Sequence, residues 1–388
     1  MQKYMLQKFF QGLNPDRPFQ IRYWDGTSER FGRGEPVLSI QFDEKFPITK
    51  FIKEPSLAFG EAYMKGLIHI EGKIEEIISL ASSNANRIWS KTLSHLPKLS
   101  SISKNKQDVQ HHYDLGNDFY SLWLDESMSY SCAYFQKEDD TLHQAQLQKI
   151  DHTLKKLQLK PGERLLDIGS GWGWLIIRAA QQYDVQSMGI TLSEEQYRKT
   201  KERIASLGLD GRVQVELVDY RELAKTGIGF DKVVSIGMFE HVGRSNYLSF
   251  MESVHTLLKD KGLALLHTIS HQTETPVDPW IDKYIFPGGY IPSLREIITL
   301  LPDYNFYTLD VENLRLHYAK TLDHWAERFE ANVDQVRSLY NEDFVRMWRL
   351  YLQSSAAFFR NGGLNLHQIL FSKGVCNEIS WTRDHIYA

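Results

Sequence analysis

The sequence predicts an α/β protein: a doubly wound, mostly parallel sheet with a smaller α/β domain before it. From about residue 161, apolar strand-like runs alternate with helical segments, the order that a parallel sheet with crossover helices requires. The first of these runs leads directly into three alternate glycines, as expected where a strand turns into a helix beside a ligand. The 388 residues are enough for roughly two or three domains.

The strands of the main sheet are predicted in order from their apolar runs. They cover residues 165–168, 185–190, 213–218, 230–236 and 262–269. Helices follow the first two strands, one through Tyr183 and one over 193–207, with Ser193 as its N-cap. Because ligands bind at the carboxyl ends of such strands, four residues at strand ends mark the predicted site: Gly169, Thr191, Asp219 and Glu240.

The smaller domain is predicted over residues 1–83, from β-like runs at 19–23 and 37–40 and a helical segment at 70–80. We expect this domain to bind lipid, to dimerise, or both. Residues 84–108 are predicted to be a basic linker, and residues 109–388 the catalytic domain. The stretch 77–107 has no acidic residue but five basic ones, so it either solvates a loop or contacts an anionic membrane surface: Arg87, Lys91, Lys98, Lys104 and Lys106.

The first 13 residues form an amphipathic helical pattern. Its apolar face fits packing against a core or contact with a membrane interface, and the sequence leaves both open. That face consists of Met5, Leu6, Phe9, Phe10 and Leu13, with Lys3 and Lys8 among them.

Composition excludes several classes of protein. A net charge of −4 argues against a nucleic-acid binder that works through a positive field. Two cysteines, Cys132 and Cys376, provide neither a disulfide framework nor a zinc set, and the pair His111–His112 has no further ligands at metal spacing, so no metal is predicted. No apolar run approaches the ~18 residues of a membrane span, and a cytoplasmic location is expected.

The segment 164–173, Arg-Leu-Leu-Asp-Ile-Gly-Ser-Gly-Trp-Gly, narrows the ligand to a nucleoside. Its glycines let the backbone lie flat against a ligand, and Asp167 supplies a carboxylate beside them. A dinucleotide site would have its third glycine one residue later and an acid about 20 residues on. The pattern resembles instead the first motif of class I S-adenosylmethionine-dependent methyltransferases, with NAD a poor second.

Further motifs surround this segment in a fixed order. They read His-Tyr-Asp-Leu-Gly-Asn-Asp-Phe-Tyr at 112–120, Tyr-Ser-Cys-Ala-Tyr-Phe at 130–135, Met-Phe-Glu-His-Val-Gly at 238–243, Leu-His-Thr-Ile at 266–269, Ile-Phe-Pro-Gly-Gly-Tyr-Ile-Pro-Ser at 285–293 and His-Tyr-Ala-Lys-Thr at 317–321. Together they closely resemble the cyclopropane-fatty-acyl-phospholipid synthases and the related mycolic acid cyclopropane synthases, over roughly residues 108–360.

This resemblance implies a chemistry. The methyl group of S-adenosylmethionine passes to a cis double bond of a phospholipid acyl chain, a bound bicarbonate removes a proton from the new methyl group, and a cyclopropane ring closes. It also implies a homodimer that acts peripherally on the inner face of the membrane. The positions that match the bicarbonate site are Cys132, Glu240, His267, Ile269 (by its backbone) and Tyr318.

The resemblance assigns the cofactor site as well. Its matching positions are Tyr130 and Ser131 near the methionine end, Asp167, Gly169, Gly171 and Gly173 in the glycine loop, Thr191, Leu192 and Gln196, and then Asp219, Tyr220 and Arg221 near the adenine. Aromatic faces could stabilise a cationic intermediate; the candidates are Tyr134, Phe135, Tyr284, Tyr290 and Trp325. Two alternatives remain: methyl transfer without ring closure or with hydration, and a non-catalytic lipid-binding protein on the same fold.

Overall fold

The computed structural model describes residues 1–13, 15–46, 48–83 and 115–387, and they form two compact units. The first unit contains the described part of Met1–Leu96 together with Pro276–Pro287 and Leu322–Gly363. The second contains the described parts of Pro97–Thr275 and Leu364–Ala388 together with Gly288–Thr321. The predicted linker, residues 84–108, lies outside the described residues.

The helices and strands are numbered in chain order. Up to residue 157 the helices are α1 (Gln2–Gln11), α2 (Ile48–Lys53), α3 (Pro55–Met64), α4 (Ile74–Ser83), α5 (Gly116–Ser121) and α6 (Leu142–Leu157). Those that follow are α7 (Trp174–Tyr183), α8 (Glu194–Ser206), α9 (Tyr220–Ala224), α10 (Phe239–Val242), α11 (Tyr247–Leu257), α12 (Pro279–Tyr284), α13 (Leu294–Leu300), α14 (Arg315–Ala331), α15 (Val333–Leu339), α16 (Glu342–Arg360) and α17 (Asp384–Tyr387). The strands are β1 (Phe19–Arg22), β2 (Ser28–Phe31), β3 (Leu38–Phe42), β4 (Ile68–Glu71), β5 (Arg164–Ile168), β6 (Gln186–Thr191), β7 (Val213–Leu217), β8 (Phe230–Ile236), β9 (Leu258–Ser270), β10 (Phe306–Asn313) and β11 (Asn365–Lys373).

The first unit contains a four-stranded sheet in the order β2-β1-β3-β4, in which β1 and β3 are parallel. Leu6 and Phe10 of α1 are buried in the core of this unit, and Met5, Phe9 and Leu13 pack against it. The amphipathic face of the first 13 residues is therefore a core-packing face, one of the two alternatives left by the sequence. The predicted helix at 70–80 is wrong at its start, because residues 70 and 71 belong to β4.

Two later segments complete the first unit. Trp280 of α12 lies against Gly60 of α3, where an added Cβ would come within 2.3 Å of the indole, so only glycine fits. Arg346 of α16 donates from Nη2 to the Ile68 carbonyl at 2.8 Å. The units therefore differ from the predicted domains 1–83 and 109–388, since residues 276–287 and 322–363 pack with the N-terminal part of the chain.

The second unit contains a seven-stranded sheet in the order β10-β11-β9-β8-β5-β6-β7. Strands β9, β8, β5, β6 and β7 are parallel, and β11 runs antiparallel to both β9 and β10. Helices alternate with the parallel strands, and apolar side chains fill two core clusters of this unit. The predicted fold class, a doubly wound and mostly parallel α/β sheet, is confirmed.

The five predicted strands correspond to β5–β9 with small shifts at their ends, the largest at the start of β9. The Ser193 hydroxyl accepts a hydrogen bond from the Gln196 amide at 3.3 Å and caps α8 as predicted. The helices of the described ranges are all too short or too polar to cross a bilayer.

Candidate active site

A cavity lies at the carboxyl ends of β5, β6, β7 and β8 in the second unit. All twelve residues predicted to bind the cofactor line it: Tyr130, Ser131, Asp167, Gly169, Gly171, Gly173, Thr191, Leu192, Gln196, Asp219, Tyr220 and Arg221. The cavity thus brings together residues that are up to 91 positions apart in the chain, from Tyr130 to Arg221.

The three glycines of the loop after β5 each have a positive φ, at +84°, +53° and +84° for Gly169, Gly171 and Gly173. An added Cβ on Gly173 would come within 2.3 Å of Thr200, and one on Gly169 within 2.9 Å of Met238. Gly171 has no described atom within 4 Å of that position. The outer two glycines are therefore needed for packing, and the middle one keeps the cavity open to a ligand.

The part of the cavity that is predicted to hold the ribose and adenine contains short polar contacts. The Thr191 hydroxyl donates to Gln196 Oε1 at 2.7 Å and accepts from the Ser193 amide at 3.1 Å. Arg221 donates to both carboxylate oxygens of Asp219, at 2.8 and 2.7 Å. Asp219 therefore holds a bidentate partner already, and a ligand amine would use its remaining lone pairs.

The part of the cavity that is predicted to hold the methionine moiety contains two buried ionisable groups. Lys149 of α6 donates from Nζ to the Ser131 hydroxyl at 2.9 Å, and burial lowers its pKa to about 8. Asp167 is buried, and its Oδ1 has no hydrogen-bond partner among the described residues. Burial raises the pKa of Asp167 to about 7, although the charge of Lys149 opposes the shift.

The sequence analysis did not predict Lys149 as a site residue, although its position in the chain indicates that it is buried. It shares the buried face of α6 with Ala145, Gln146 and Thr153, at the spacing of one helical stripe. A lysine in a buried stripe is rare unless it has a specific partner. His241, which follows Glu240 and lines the cavity, was also left unassigned. Burial lowers its pKa to about 4, so its imidazole is neutral at pH 7.

Glu240 lies in α10, directly after β8, and is 8% exposed. Its Oε1 accepts a hydrogen bond from the Ile269 amide at 2.6 Å, which fixes the carboxylate against the end of β9. Its Oε2 is buried and has no hydrogen-bond partner in the described ranges. Burial raises the pKa of Glu240 to about 7.

His267 is fully buried in β9, and a chain of hydrogen bonds fixes its tautomer. Thr153 donates its hydroxyl proton to the Lys149 carbonyl at 2.8 Å, so its oxygen accepts from Gln368 Nε2 at 3.2 Å. The same amide nitrogen lies 3.1 Å from His267 Nδ1, which must therefore accept. Burial lowers the pKa of His267, so the neutral ring carries its proton on Nε2. This Nε2 is buried without a partner among the described residues.

Cys132 and Tyr318 meet at one carbonyl group. The Cys132 thiol lies 3.9 Å from the Leu314 carbonyl oxygen, which also accepts from the Tyr318 amide at 3.1 Å. Cys132 is fully buried, and burial raises the pKa of its thiol. The thiol is thus protonated at neutral pH, which argues for packing or hydrogen bonding and against a nucleophilic role.

A series of backbone and side-chain hydrogen bonds and strand pairs connects the five residues predicted to be catalytic. The Leu314 amide donates to the Leu366 carbonyl at 2.8 Å, and Leu366 pairs with Ile269 across β11 and β9. Ile269 in turn donates to Glu240, and His267 lies two residues earlier on β9. None of the five lines the cofactor cavity, although their chain neighbours Ser131 and His241 do.

The aromatic candidates have different surroundings. His152 and His317 both stack on Tyr134, with ring centroids at 4.1 and 4.7 Å, so its faces are engaged. The Lys320 ammonium already lies over the Phe135 ring at 4.5 Å. Tyr290 donates its amide to the Glu240 carbonyl at 2.9 Å. Tyr284 and Trp325 belong to the first unit.

The described residues contain no group of three or more His, Cys, Asp or Glu side chains placed to hold a metal ion. Cys132 and Cys376 are both free thiols. The pair His111–His112 lies outside the described residues, as does the start of the motif at 112–120.

Comparison with family models identifies the chain. Residues 100–369, more than half of its length, match the model described as mycolic acid cyclopropane synthetase. The chain belongs to the mycolic acid cyclopropane synthetase family. Residues 5–92 match a second model, described only as a domain of unknown function.

Two curated relatives of this family member have different names. A probable fatty acid methyltransferase of Pseudomonas putida is 38% identical over 381 residues, covering 95% of this chain and 96% of the relative. A cyclopropane-fatty-acyl-phospholipid synthase of Escherichia coli K12 is 41% identical over 344 residues, covering 86% of this chain and 87% of the relative.

Solved structures of the family support the same fold. The cyclopropane synthase MmaA2 from Mycobacterium tuberculosis has a TM-score of 0.67 and 35% identity, covering 71% of this chain and 100% of its own. The mycolic acid cyclopropane synthase CmaA1, complexed with SAH and CTAB, has a TM-score of 0.66 and 36% identity, covering 71% and 99%. The predicted enzyme class, an S-adenosylmethionine-dependent methyltransferase, is confirmed for this member of the cyclopropane synthase family.

Proposed function

We propose that this enzyme transfers the methyl group of S-adenosylmethionine to a cis double bond of an unsaturated phospholipid acyl chain and closes a cyclopropane ring. In this proposal a bicarbonate ion, held by Glu240 and His267, serves as the base. The observation that carries the proposal is that Glu240 Oε2 and His267 Nε2 are both buried without a hydrogen-bond partner among the described residues. Glu240 precedes the cavity residue His241 in the chain, and the His267 carbonyl accepts from the amide of the cavity residue Gly237 at 2.9 Å.

The two orphaned atoms fit bicarbonate in their chemistry. The ion has one O–H group and two further oxygens, so it needs an acceptor on one side and donors on the other. An ionised Glu240 Oε2 accepts the O–H group, and His267 Nε2–H donates to an oxygen. The Ile269 amide already donates to Glu240 Oε1, so Oε2 is the carboxylate oxygen that has no partner among the described residues. When bound there, bicarbonate supplies a base that can accept a proton near neutral pH.

The cavity fits S-adenosylmethionine, which supplies an electrophilic methyl group when bound. The open side of Gly171 admits a flat contact, and Asp167 and Asp219 supply acceptors at opposite ends. We propose that Thr191 and Gln196 bind the ribose and that Tyr130 and Ser131 bind near the methionine end. Leu192, Tyr220 and Arg221 complete the adenosine part of the site.

The protein's own contribution is to hold a dry, ordered site. Cys132 is fully buried, His267 is 1% exposed and Glu240 is 8% exposed, so water has little access to the reacting centre. Water would capture a cationic hydrocarbon as an alcohol, and its exclusion favours ring closure. Neutral His267 orients one edge of the base, and the Tyr318 hydroxyl is proposed as a second donor.

The relatives support two products, because one is named a cyclopropane synthase and another a probable fatty acid methyltransferase. The second candidate is therefore methyl transfer to the acyl chain without ring closure. A base site beside the methyl donor favours ring closure, since only that reaction must remove a proton from the new methyl group.

An isotope experiment separates these candidates. The protein is incubated with S-adenosylmethionine that carries a fully deuterated methyl group and with vesicles of monounsaturated phospholipid. Ring closure gives a lipid that retains two of the three deuterium atoms, whereas transfer without loss from that methyl group retains all three. Hydration adds the mass of water as well. Failure to transfer any deuterium to lipid would refute the lipid substrate.

We further propose that the enzyme works in the cytoplasm, peripherally on the inner face of the membrane and as a homodimer, as the family resemblance implies. Residues 1–83 are proposed to contribute lipid binding, dimerisation or both. Co-sedimentation with anionic vesicles and the mass in solution test these two points separately.

A further inference from the structure

Lys149 is a buried cation that faces the cofactor cavity. It is 4% exposed, lines the cavity, and lies on α6 rather than on the glycine loop. Its side-chain hydrogen bond goes to the Ser131 hydroxyl at 2.9 Å, and it forms no ion pair with any described residue. A buried ammonium group without a counter-anion is costly, so its presence points to an anion that arrives with a ligand.

Several charged and titratable groups face Lys149, and Asp125 and Asp167 act on it through their charge, but no described carboxylate lies within ion-pair distance of its ammonium group. The facing groups are Asp125 and Cys132 on the loop before α6, Asp167 on β5, and His267 on β9. Asp125 is already engaged by the Ser127 amide and hydroxyl, the Ser129 amide and the His143 imidazole, at 2.8 to 3.2 Å.

Asp167 is the remaining acid, and its Oδ1 is an orphaned acceptor in the same cavity. The cavity therefore presents one donor cation, Lys149, and one acceptor carboxylate at its methionine end. An amino-acid zwitterion has the complementary pair, an α-carboxylate and an α-ammonium group.

The other end of the cavity has a different character. Asp219 follows β7, which is separated from β5 by β6, so it lies about 10 Å across the sheet from Asp167. Its partner Arg221 is bound to it in a bidentate pair. That end offers no free cation among the described lining residues, and it suits the uncharged adenine.

We infer that Lys149 binds the α-carboxylate of the cofactor, beside Ser131 and opposite Asp167, and so fixes the methionine end of the cavity. The inference rests on the S-adenosylmethionine site of the proposed function and adds to it a residue outside the glycine loop. Lys149 is thus a binding residue that contacts the amino-acid part of the ligand and not its nucleoside part.

Calorimetry with two ligands tests this role. S-adenosylhomocysteine carries the amino-acid chain, and 5′-methylthioadenosine has the same nucleoside and thioether without it. We expect Lys149→Met to weaken S-adenosylhomocysteine by about 10- to 100-fold, the loss of one charge-assisted contact. Binding of 5′-methylthioadenosine should change by less than about twofold. Lys149→Arg should keep part of the lost affinity.

Asp219→Asn serves as the matched control at the adenine end, where both ligands should lose affinity equally. A second measurement needs no variant: the wild-type protein should bind the carboxamide of S-adenosylhomocysteine about 10-fold or more weakly than the free acid. This difference should vanish in Lys149→Met.

Equal loss of both ligands in Lys149→Met, or no loss of either, overturns the inference. So does equal binding of the acid and the carboxamide by the wild-type protein. These readouts are separate from the proposed reaction: a protein that discriminates the two ligands through Lys149 but forms no cyclopropane lipid refutes the proposed function alone.

Discussion

The side-chain nitrogen of Gln368 lies 3.1 Å from Nδ1 of His267, inside the fully buried interface of β11 and β9. Since Thr153 can only accept from the same amide group, Gln368 is a donor to both partners. The contact therefore decides which ring nitrogen of His267 carries the proton, and it directs an N–H group towards the proposed base site. Gln368 acts here as a positioning residue.

Gln368→Glu should invert this arrangement. A carboxylate accepts from His267 Nδ1–H, which leaves Nε2 as an acceptor that repels an anion. We expect turnover to fall by about 100-fold or more. The affinity for S-adenosylhomocysteine should stay within about twofold. Nitrogen NMR of the His267 ring reads the tautomer directly.

Gln368→Met is the matched variant, because it removes the donor without adding an acceptor. We expect a smaller loss of turnover than for Gln368→Glu, with a mixture of ring tautomers. Equal loss of turnover in both variants, with the wild-type tautomer retained, would contradict the positioning role.

Glu240→Gln should separate catalysis from cofactor binding. The amide keeps an acceptor for the Ile269 amide but loses the charge that is proposed to accept the O–H group of bicarbonate. We expect turnover to fall by about 100-fold or more. The affinity for S-adenosylhomocysteine should be nearly unchanged. If both quantities fell in parallel, Glu240 would be a structural residue of the cofactor cavity.

The same variant should be more stable than the wild-type protein at alkaline pH. Burial raises the pKa of Glu240 from 4.5 to about 7, so the folded state binds more protons than the unfolded state between these values. Wild-type stability is therefore lost as the pH rises through this window. At pH 8 we expect the free energy of unfolding of Glu240→Gln, measured in urea, to exceed that of the wild-type protein by roughly 1–3 kcal/mol. No difference between pH 5 and pH 8 would show that Glu240 is not desolvated.

Two glycine variants should behave differently. Gly171→Ala and Gly173→Ala both place a side chain at positive φ, at a cost of about 1–2 kcal/mol. Gly173→Ala should lose about 1–3 kcal/mol more, because its methyl group overlaps Thr200. Adding Thr200→Ser removes the clashing methyl group and should recover part of this loss. Gly171→Ala should instead weaken S-adenosylhomocysteine, and equal stability of the two variants would refute the packing argument.

The partly buried ion cluster of Glu312, His152 and Lys156 should govern stability at acid pH. Burial alone would raise the pKa of Glu312, but hydrogen bonds and charge from His152 and Lys156 lower it to about 2. Glu312 therefore stabilises the fold above its ordinary pKa, and this contribution is lost as the pH falls from 4.5 towards 2. We expect Glu312→Gln to lower the free energy of unfolding by about 1–3 kcal/mol at pH 7, since Lys156 is 1% exposed. The two proteins should converge near pH 2.

The parallel part of the fold is readable from the sequence because each of β5–β9 is an apolar run followed by turn residues. Strands β10 and β11 were not predicted. Half of the eight residues of β10 are exposed and only the first is buried, as expected at a sheet edge. In β11 the buried positions include His367 and Gln368, whose side chains hydrogen-bond to Ser270 and His267 of the neighbouring β9. Local periodicity carries no information on such long-range partners.

The residues of the candidate site also differ in how far the sequence predicts them. The family resemblance predicted twelve cofactor residues, and all twelve line the cavity. Of the four residues marked at strand ends, whose positions follow from sheet topology, Gly169, Thr191 and Asp219 line the cavity and Glu240 does not. Lys149 and Gln368 were missed, since each acts through a side chain of a distant element. The segments 276–287 and 322–363 were assigned to the catalytic domain on motif order, and their packing with the N-terminal part depends on contacts such as that of Trp280 with Gly60.

The central claim is that Glu240 and His267 together hold the anionic base. The most direct measurement is an electron-density map of the complex with S-adenosylhomocysteine, grown in bicarbonate. We expect planar trigonal density within hydrogen-bond distance of Glu240 Oε2 and His267 Nε2, and its absence from crystals of Glu240→Gln. Glu240 and His267 facing separate spaces, or joined only by water in the wild-type crystals, would contradict the claim.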